Sequence, residues 1–245
     1  MKTTAWRASF LALALLAVAC GSDDDGDDGG NPAPFDPDVA YEPAVTADQL
    51  SADITNPLFP LPVGASWMYE ADGPDGLEEI VVTVEQETHS VWGVDARVVR
   101  DTVMIDGELA EDTWDWYAQD EAGNVWYMGE DTTEYENGEP TTTEGSWTSG
   151  VDGALPGVVM LGDPQVGLVY RQEYLEGEAE DYAEVASLDE TIEVGSQTYT
   201  GCLKTNDLSA VDPDLNEFKH YCPGIGIVLT EEPDVNEELI SYDIP

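Results

Sequence analysis

Charged side chains that could bind a ligand or transfer protons are predicted to gather on one face of three successive strands. Asp106-Gly107 is a strong signal for a two-residue hairpin turn. That turn sets Arg100 opposite Thr113, and the next turn sets Thr113 opposite Asp131. Side chains that are paired directly or diagonally across strands are within reach of one another. The expected cluster consists of Arg100, Glu111, Asp115, Tyr117, Tyr127 and Asp131.

Three interpretations fit this cluster. The first interpretation is a solvated face on which one Arg partly offsets the repulsion among several acids. Such a group would contribute little to the stability of the fold, because exposed charge pairs are weak. The second interpretation is a ligand-binding site inside a curved sheet. The third is a hydrolase, which needs two carboxyl groups about 5–9.5 Å apart in an open cleft. The candidate pairs for that chemistry are Glu111 with Asp115 and Glu173 with Asp181.

A further pair of carboxylates, Asp101 and Asp112, is expected face to face on the tryptophan side of the sheet. Two ionised carboxylates in that position repel each other. Either Arg97 bridges them, or a cation binds between them, or the register differs by one residue. Oxygen-only ligation would suit calcium, so Asp101 and Asp112 are the candidate metal ligands.

The sequence lacks the common catalytic motifs. It contains no G-x-S-x-G nucleophile elbow, no phosphate-binding loop and no H-E-x-x-H zinc motif. His89 and His220 are the only histidines, and neither has a companion in its neighbourhood for a triad or a zinc site. We therefore predict no catalytic residue, and no cofactor other than calcium.

The elements that must position these residues are predicted to be β-strands. A central pair of strands surrounds a tight turn at residues 120–124, where Gly123 can adopt a positive φ. This turn places Ala118 opposite Trp126 and Trp116 opposite Met128. A face that carries indoles and a thioether is expected to form a wall of the core, because aromatic side chains bury the most area.

The fold class predicted for the whole chain is all-β. Alternating apolar and polar residues recur without a long amphipathic helix, which favours a single curved antiparallel sheet of about ten strands. The sheet would form a half-barrel or a lipocalin-like barrel. At residues 149–165 the pattern breaks into glycines and prolines, which predicts a long loop. Thr46 and Gln49 are spaced like a capping box.

The two halves of the chain are related by an internal repeat. Val63-Gly64 followed by Trp67 recurs as Val166-Gly167 followed by Tyr170, at an offset of 166 − 63 = 103 residues. Two meanders, each ending in a tight hairpin, are therefore expected. The predicted pseudo-repeats span about 62–131 and 164–232.

Residues 1–19 are predicted to be a lipoprotein signal peptide. A basic start precedes an apolar run at residues 8–18, which is shorter than the ~20 residues of a membrane-spanning helix. The motif LAVAC at residues 16–20 resembles the bacterial lipobox, which implies cleavage before Cys20 and acylation of Cys20. The alternative is an ordinary secretory signal cleaved after Ala19.

The resemblance to a lipobox also implies where in the cell the protein resides. Gly21 follows the acylated residue, and no Asp is present there to resemble an inner-membrane retention signal, so outer-membrane residence in the cell envelope is expected. The lipid bilayer is then a partner through the acylated Cys20. Residues 20–42 are acidic and rich in Gly and Pro, which predicts a tether, and residues 43–245 form the expected β domain.

The charge of the mature chain excludes two classes of partner. Two of the seven Lys and Arg residues lie in the signal peptide, so 53 acidic residues face five basic ones and the formal net charge is −48. Such a surface repels both nucleic acid and anionic lipid. The predicted partner is therefore a small molecule or a protein.

Cys202 and Cys222 are the two cysteines that remain after the signal peptide. In an exported protein such a pair predicts a disulfide. A metal site would need further Cys or His residues nearby, and only His220 is available.

Three segments resemble a widespread group of bacterial secreted proteins and lipoproteins. They are FPLPVG at residues 59–64 with Trp67, the hairpin at residues 115–127, and YCPGIG at residues 221–226. The resemblance covers about residues 56–231. It implies no activity, and therefore no catalytic residue, but it is consistent with curved antiparallel half-barrels of the lipoprotein-carrier kind.

Together these features predict a membrane-anchored lipoprotein of the cell envelope that binds a ligand or partner without catalysis. Two alternatives are a carboxylate-pair hydrolase acting on envelope glycans and a purely structural surface protein.

Overall fold

The computed structural model describes the chain in three ranges, residues 40–74, 76–233 and 235–245. The predicted signal peptide, its acylation site Cys20 and most of the predicted tether lie outside these ranges, so they stay predictions. Within the three ranges, no helix has the length and apolar character needed to cross a bilayer.

The described chain forms an antiparallel β-sheet and one 3-10 helical turn, Ala47–Gln49, which confirms the predicted all-β class. The sheet has fifteen strands rather than about ten. The strands are β1 (Ser66–Gly73), β2 (Gly76–Val91), β3 (Val94–Ile105), β4 (Glu108–Gln119), β5 (Val125–Glu136), β6 (Glu139–Thr142), β7 (Trp147–Thr148), β8 (Leu155–Met160), β9 (Val169–Arg171), β10 (Glu173–Tyr174), β11 (Asp181–Val194), β12 (Gln197–Ser209), β13 (Asn216–Cys222), β14 (Gly226–Glu231) and β15 (Asn236–Asp243).

Thirteen of these strands lie side by side in the order β10-β8-β5-β4-β3-β2-β1-β15-β14-β13-β12-β11-β9. The curved sheet nearly closes into a barrel with one unsealed seam. Strand β15 pairs with both β1 and β14 and so joins the two halves of the chain. The sequence pattern missed β15, because Leu239 is the one buried side chain of this strand.

A single chain segment, residues 169–174, lies at the seam between the two edges of the sheet. Its first part, β9, pairs with β11, and the Gln172 N–H donates to the Asp181 carbonyl oxygen at 2.8 Å. Its second part, β10, pairs with β8. Because the two parts pair with different neighbours, the edges meet here without a continuous ladder of hydrogen bonds.

Residues 149–165 contain the largely buried strand β8, so the prediction of a long loop was wrong. One of the glycines in this range, Gly157, does not mark a turn but allows two backbone segments to pack closely. Gly157 lies against the peptide group that joins Gln172 to Glu173, and a Cβ at Gly157 would collide with the Gln172 carbonyl group. The absence of a side chain at this position therefore lets β8 approach the seam segment.

The central hairpin of β4 and β5 has the predicted turn. The Asp120 N–H donates to the Asn124 carbonyl oxygen at 3.1 Å, and the Asp120 carboxylate accepts from the Trp126 indole N–H at 2.8 Å. Ala118 pairs with Trp126 as predicted. Trp116 was predicted opposite Met128 but pairs with Gly129, because a β-bulge shifts the register by one residue.

The chain before β1 crosses one end of the barrel, and we call residues 56–61 of this stretch the plug. The Asn56 side-chain amide donates to the Gly123 carbonyl oxygen at 2.9 Å, in a turn of the first half. The Gly224 N–H, in a turn of the second half, donates to the Pro57 carbonyl oxygen at 2.7 Å. Upstream of the plug, the predicted capping box at Thr46 is confirmed.

The two halves share one backbone arrangement at the predicted offset. The Gly64 N–H donates to the Val84 carbonyl oxygen at 3.0 Å, and the Gly167 N–H donates to the Val185 carbonyl oxygen at 2.8 Å. Both glycines have a positive φ, +83° and +86°, which a residue with a Cβ rarely adopts. These bonds support the internal repeat, whose extent over the full meanders stays a prediction.

The predicted disulfide between Cys202 and Cys222 is present and joins the neighbouring strands β12 and β13. The two Cα atoms are 4.2 Å apart. Closing a loop of this size stabilises the fold by about 3 kcal/mol in the chain-entropy description.

We expect Gly157→Ala to destabilise the protein by about 2–4 kcal/mol, because its Cβ would force β8 away from the seam segment. Gly73→Ala is the matched control, since its Cβ would meet neighbouring atoms only at ordinary contact distances. Chemical denaturation of both variants measures the difference. Equal stability of the two variants would show that the seam tolerates separation.

Candidate functional site

The barrel interior contains a cavity of about 440 Å³. Side chains from both halves of the chain line it, together with the plug. On several strands the lining residues alternate with residues of the opposite face, as Val99, Asp101 and Val103 do on β3. The site is therefore built by the inward face of the whole barrel rather than by one loop.

The end of the cavity that is closed by the plug is apolar and aromatic. Phe59 and Leu61 of the plug line it, and Trp67 lies beside them. The Phe59 ring is 5.3 Å from the ring of Tyr117 and 6.4 Å from the ring of Tyr221. Aromatic contacts at these distances are favourable, so the plug is held by both halves of the sheet.

The other end of the cavity is acidic. On β13, Glu217 lies on the same face as Tyr221 but four residues away, which is about 13 Å along a strand. Glu232 and Glu237 belong to the same end of the neighbouring strands, and Glu232 is exposed although it lines the cavity. The acidic end is therefore the mouth.

A carboxyl–tyrosine pair lies on the wall formed by β4 and β5. The Tyr127 hydroxyl donates to Asp115 at 2.5 Å, and the Tyr127 ring stacks on Tyr117 with ring centres 5.0 Å apart. Asp115 is buried. Burial raises the pKa of Asp115 to about 7, although the hydrogen bond from Tyr127 acts in the opposite direction.

Asp101 lies on the adjacent strand β3, diagonal to Asp115 on the cavity face, because it pairs with Thr113. Its Oδ1 atom is enclosed and has no hydrogen-bond partner in the described structure. Burial, and then the carboxylate of Glu237, raise the pKa of Asp101 to about 7. Asp101 is thus a largely buried carboxyl group on the cavity wall without a neighbouring positive charge.

Lys219 is the one basic side chain among the described lining residues, and carboxylates already surround it. Its Nζ atom is 3.2 Å from Asp207 and 3.3 Å from Glu217. Burial alone would lower the pKa of Lys219, but these two carboxylates outweigh burial and hold it well above its ordinary value. Gln172 of the seam segment also donates to Asp207, at 3.1 Å. Lys219 therefore offers little spare positive charge to the cavity.

Glu173 and Asp181, one of the two carboxyl pairs predicted from the sequence, both line the cavity beside the seam. Burial, and then the Asp181 carboxylate, raise the pKa of Glu173 to about 8. Burial also raises the pKa of Asp181, while a hydrogen bond with Ser209 acts against it. The other predicted pair is split, since Asp115 lines the cavity and Glu111 lies beyond its described lining.

The predicted binding cluster is divided between the two faces of the sheet. Asp115, Tyr117 and Tyr127 line the cavity. Arg100 and Asp131 lie on the opposite face, because both pair with Trp114 in the observed register. Glu111, on the same side as Asp115, accepts a hydrogen bond from Thr113 at 2.9 Å.

The register between β3 and β4 explains this correction. A β-bulge between Val103 and Met104 shifts the pairing, so Arg100 faces Trp114 instead of Thr113. Arg100 donates to the two carboxylate oxygens of Asp112 at 2.7 and 2.8 Å, and its guanidinium lies 5.1 Å from the centre of the Trp114 ring.

The expected pairing of Asp101 with Asp112 was wrong for the same reason. The alternative in which the register differs by one residue is the observed one, since Asp101 pairs with Thr113. Asp101 lines the cavity and Asp112 binds Arg100, so the basis for a calcium site between them is removed. In the three described ranges, no group of three or more His, Cys, Asp or Glu residues is arranged to hold a metal ion.

Apart from Glu173 and Asp181, sequence reasoning missed the lining residues of the second half. The acidic end depends on β15, which was not predicted, and on β13, whose register the local sequence pattern leaves open. The alternation of Glu217, Lys219 and Tyr221 was the available signal, because residues two apart share a face.

We expect the free energy of unfolding to fall as the pH rises from about 4 to about 8. Unfolded Asp and Glu titrate near pH 4, whereas in the fold the pKa of Asp101 and of Asp115 is about 7 and that of Glu173 is about 8. Across this window the folded state keeps protons that the unfolded state has released. Each retained proton contributes a slope of about 1.4 kcal/mol per pH unit. Urea unfolding at constant ionic strength measures this dependence.

Two variants separate the cavity from the overall charge of the protein. Asp115→Asn removes one of the raised carboxyl groups and should flatten the dependence, whereas Asp131→Asn removes an exposed acid and should leave the slope nearly unchanged. A wild-type protein whose stability rises across the same window would contradict the prediction.

Comparison with known proteins gives one structural similarity. No protein-family model matches the chain, and a search of curated proteins finds no match. Among solved structures, the chain is similar to a "putative lipoprotein" from Parabacteroides distasonis ATCC 8503, with 12% sequence identity and a TM-score of 0.37. The match covers 76% of this chain and 98% of that chain. This similarity is too distant to transfer a site or an activity.

Proposed function

We propose that this protein is a lipid-anchored binding module of the bacterial cell envelope that holds a small ligand inside its barrel without catalysis. The observation that carries this proposal is the cavity of about 440 Å³ with an aromatic end and a polar end. Ligand pockets are commonly about 300–1,000 Å³ and combine apolar walls with a few polar groups. A cavity of this size and lining also weighs against a purely structural role.

The anchor is proposed from the lipobox at residues 16–20 and the acidic tether that follows it. The first described residues meet the barrel at the seam, where the Tyr41 hydroxyl donates to the Pro156 carbonyl oxygen at 2.7 Å. The Tyr41 ring lies 5.4 Å from Tyr174. From Cys20 to Tyr41 the chain can span at most about 70 Å, which would let the barrel work at some distance from the bilayer.

Partly filling the cavity should weaken binding. Val82 on β2 lines the cavity, whereas its neighbour Val81 is 38% exposed on the opposite face. We expect Val82→Phe to weaken binding of the neutral fluorophore phenylnaphthylamine by about tenfold or more, and Val81→Phe to leave it unchanged. Fluorescence titration measures this, and melting curves confirm that both variants fold. Equal binding by the two variants would place the dye outside the barrel.

A glycan hydrolase is the second candidate, favoured by the carboxyl pair Glu173 and Asp181. Burial in one cavity could keep one of them protonated as an acid beside the other as a base or nucleophile. This activity predicts that the purified protein releases reducing sugar from envelope glycan and that Glu173→Gln abolishes the release. The binding proposal predicts no release by the wild-type protein.

A further inference from the structure

We infer that the ligand of this cavity is an organic cation, an aromatic or aliphatic body that carries a protonated amine. The inference deepens the proposed function and rests on it. It is drawn from the charges that line the cavity, from one carboxylate oxygen without a partner, and from the way polar and apolar groups are distributed along the barrel.

The charge balance of the lining is the first argument. Seven carboxyl side chains line the cavity, and Lys219 is the single described basic residue among them. Lys219 already lies between Asp207 and Glu217. Enclosing a carboxylate without a counter-charge is costly. A cation that enters the cavity would remove that cost, whereas an anion would add to it.

Asp101 supplies the second, independent argument. Its enclosed Oδ1 atom has no hydrogen-bond partner in the described structure, although buried polar atoms are nearly always paired. Asp115 is its diagonal neighbour on the cavity face of β4. Diagonal neighbours lie within reach of a common ligand. An ammonium group has three donors and no acceptor, so it suits two carboxyl groups better than a neutral hydroxyl does.

The shape of the cavity indicates the rest of the ligand. Phe59, Leu61 and Trp67 close the inner end, while Glu217, Glu232 and Glu237 lie at the mouth. Between the two ends, Tyr117 and Tyr127 contribute stacked rings, whose faces can also attract a cation. An amphipathic cation would therefore bind with its apolar body on the plug and its amine toward Asp101 and Asp115.

A metal ion fits these observations less well. Calcium takes six to eight oxygen ligands about 2.3–2.6 Å away. The carboxyl groups are spread over different strands, and no group of three or more potential metal ligands gathers in the described ranges. Carboxyl groups that are separated around an aromatic-lined space suit a larger organic cation.

Three compounds with the same indole body but different charge test the inference. Tryptamine carries an ammonium group, tryptophol a hydroxyl group and indolepropionate a carboxylate. With the mature protein at about pH 8, above the pKa of about 7 of Asp101 and Asp115, we expect calorimetry to show tryptamine binding at least about tenfold more tightly than tryptophol. Indolepropionate should not bind measurably.

Single-residue variants test whether the preference for tryptamine arises from the carboxyl groups in the cavity. Asp101→Asn and Asp115→Asn should each reduce the preference for tryptamine over tryptophol, and Val82→Phe should abolish tryptamine binding. Asp131→Asn is the matched control, because it removes the same charge from an exposed position on the opposite face. If Asp131→Asn reduces the preference as much as Asp101→Asn does, diffuse attraction explains the result and the inference is overturned.

The binding results distinguish a failure of the cationic-ligand inference from a failure of the proposed binding function. If phenylnaphthylamine binds and Val82→Phe blocks it, but tryptamine binds no better than tryptophol or not at all, the cavity binds ligands and the cationic class is wrong. If calcium at constant ionic strength displaces tryptamine with a defined stoichiometry, the site is a metal site and the inference fails. If neither the dye nor any indole binds, the proposed function fails with it.

Discussion

The closure of the sheet through residues 169–174 is the constraint on which the rest of the structure depends. A curved sheet with two free edges would leave backbone donors and acceptors unpaired and its concave face open to water. One part of this segment pairs with each edge, and Gln172 and Glu173 of the same segment then face the cavity. The contact is possible because Gly157 has no side chain. Fold and site therefore depend on one close approach of two backbones.

Enclosure changes the chemistry of the residues inside. In water, Asp101 and Asp115 would be ordinary ionised acids, but in the barrel burial raises their pKa to about 7. The interior has one described lysine, which Asp207 and Glu217 already hold. The barrel thus keeps unmatched acidic groups at a cost in stability. Carboxyl groups with strongly raised pKa values in a cavity are typical of functional sites.

The predictions of local structure made from the sequence were largely right, and those that needed strand register were often wrong. The turn at residues 120–124 and the glycines at the start of each repeat follow from backbone preferences of a few residues. A β-bulge next to Val103, by contrast, moved Arg100 to the outer face and Asp101 into the cavity. One extra residue exchanges the two faces of a strand, and the residue types near this bulge do not mark it.

The sequence by itself determined the all-β class, the tight turns, the disulfide between Cys202 and Cys222 and the strongly acidic character of the chain. These features depend on composition and on preferences within short segments. The tertiary structure decided which acids face the cavity, where β15 joins the two halves and how residues 169–174 close the barrel. Those outcomes depend on contacts between residues far apart in the chain, whose register is set by bulges and by close packing, as at Gly157, and not by any local pattern.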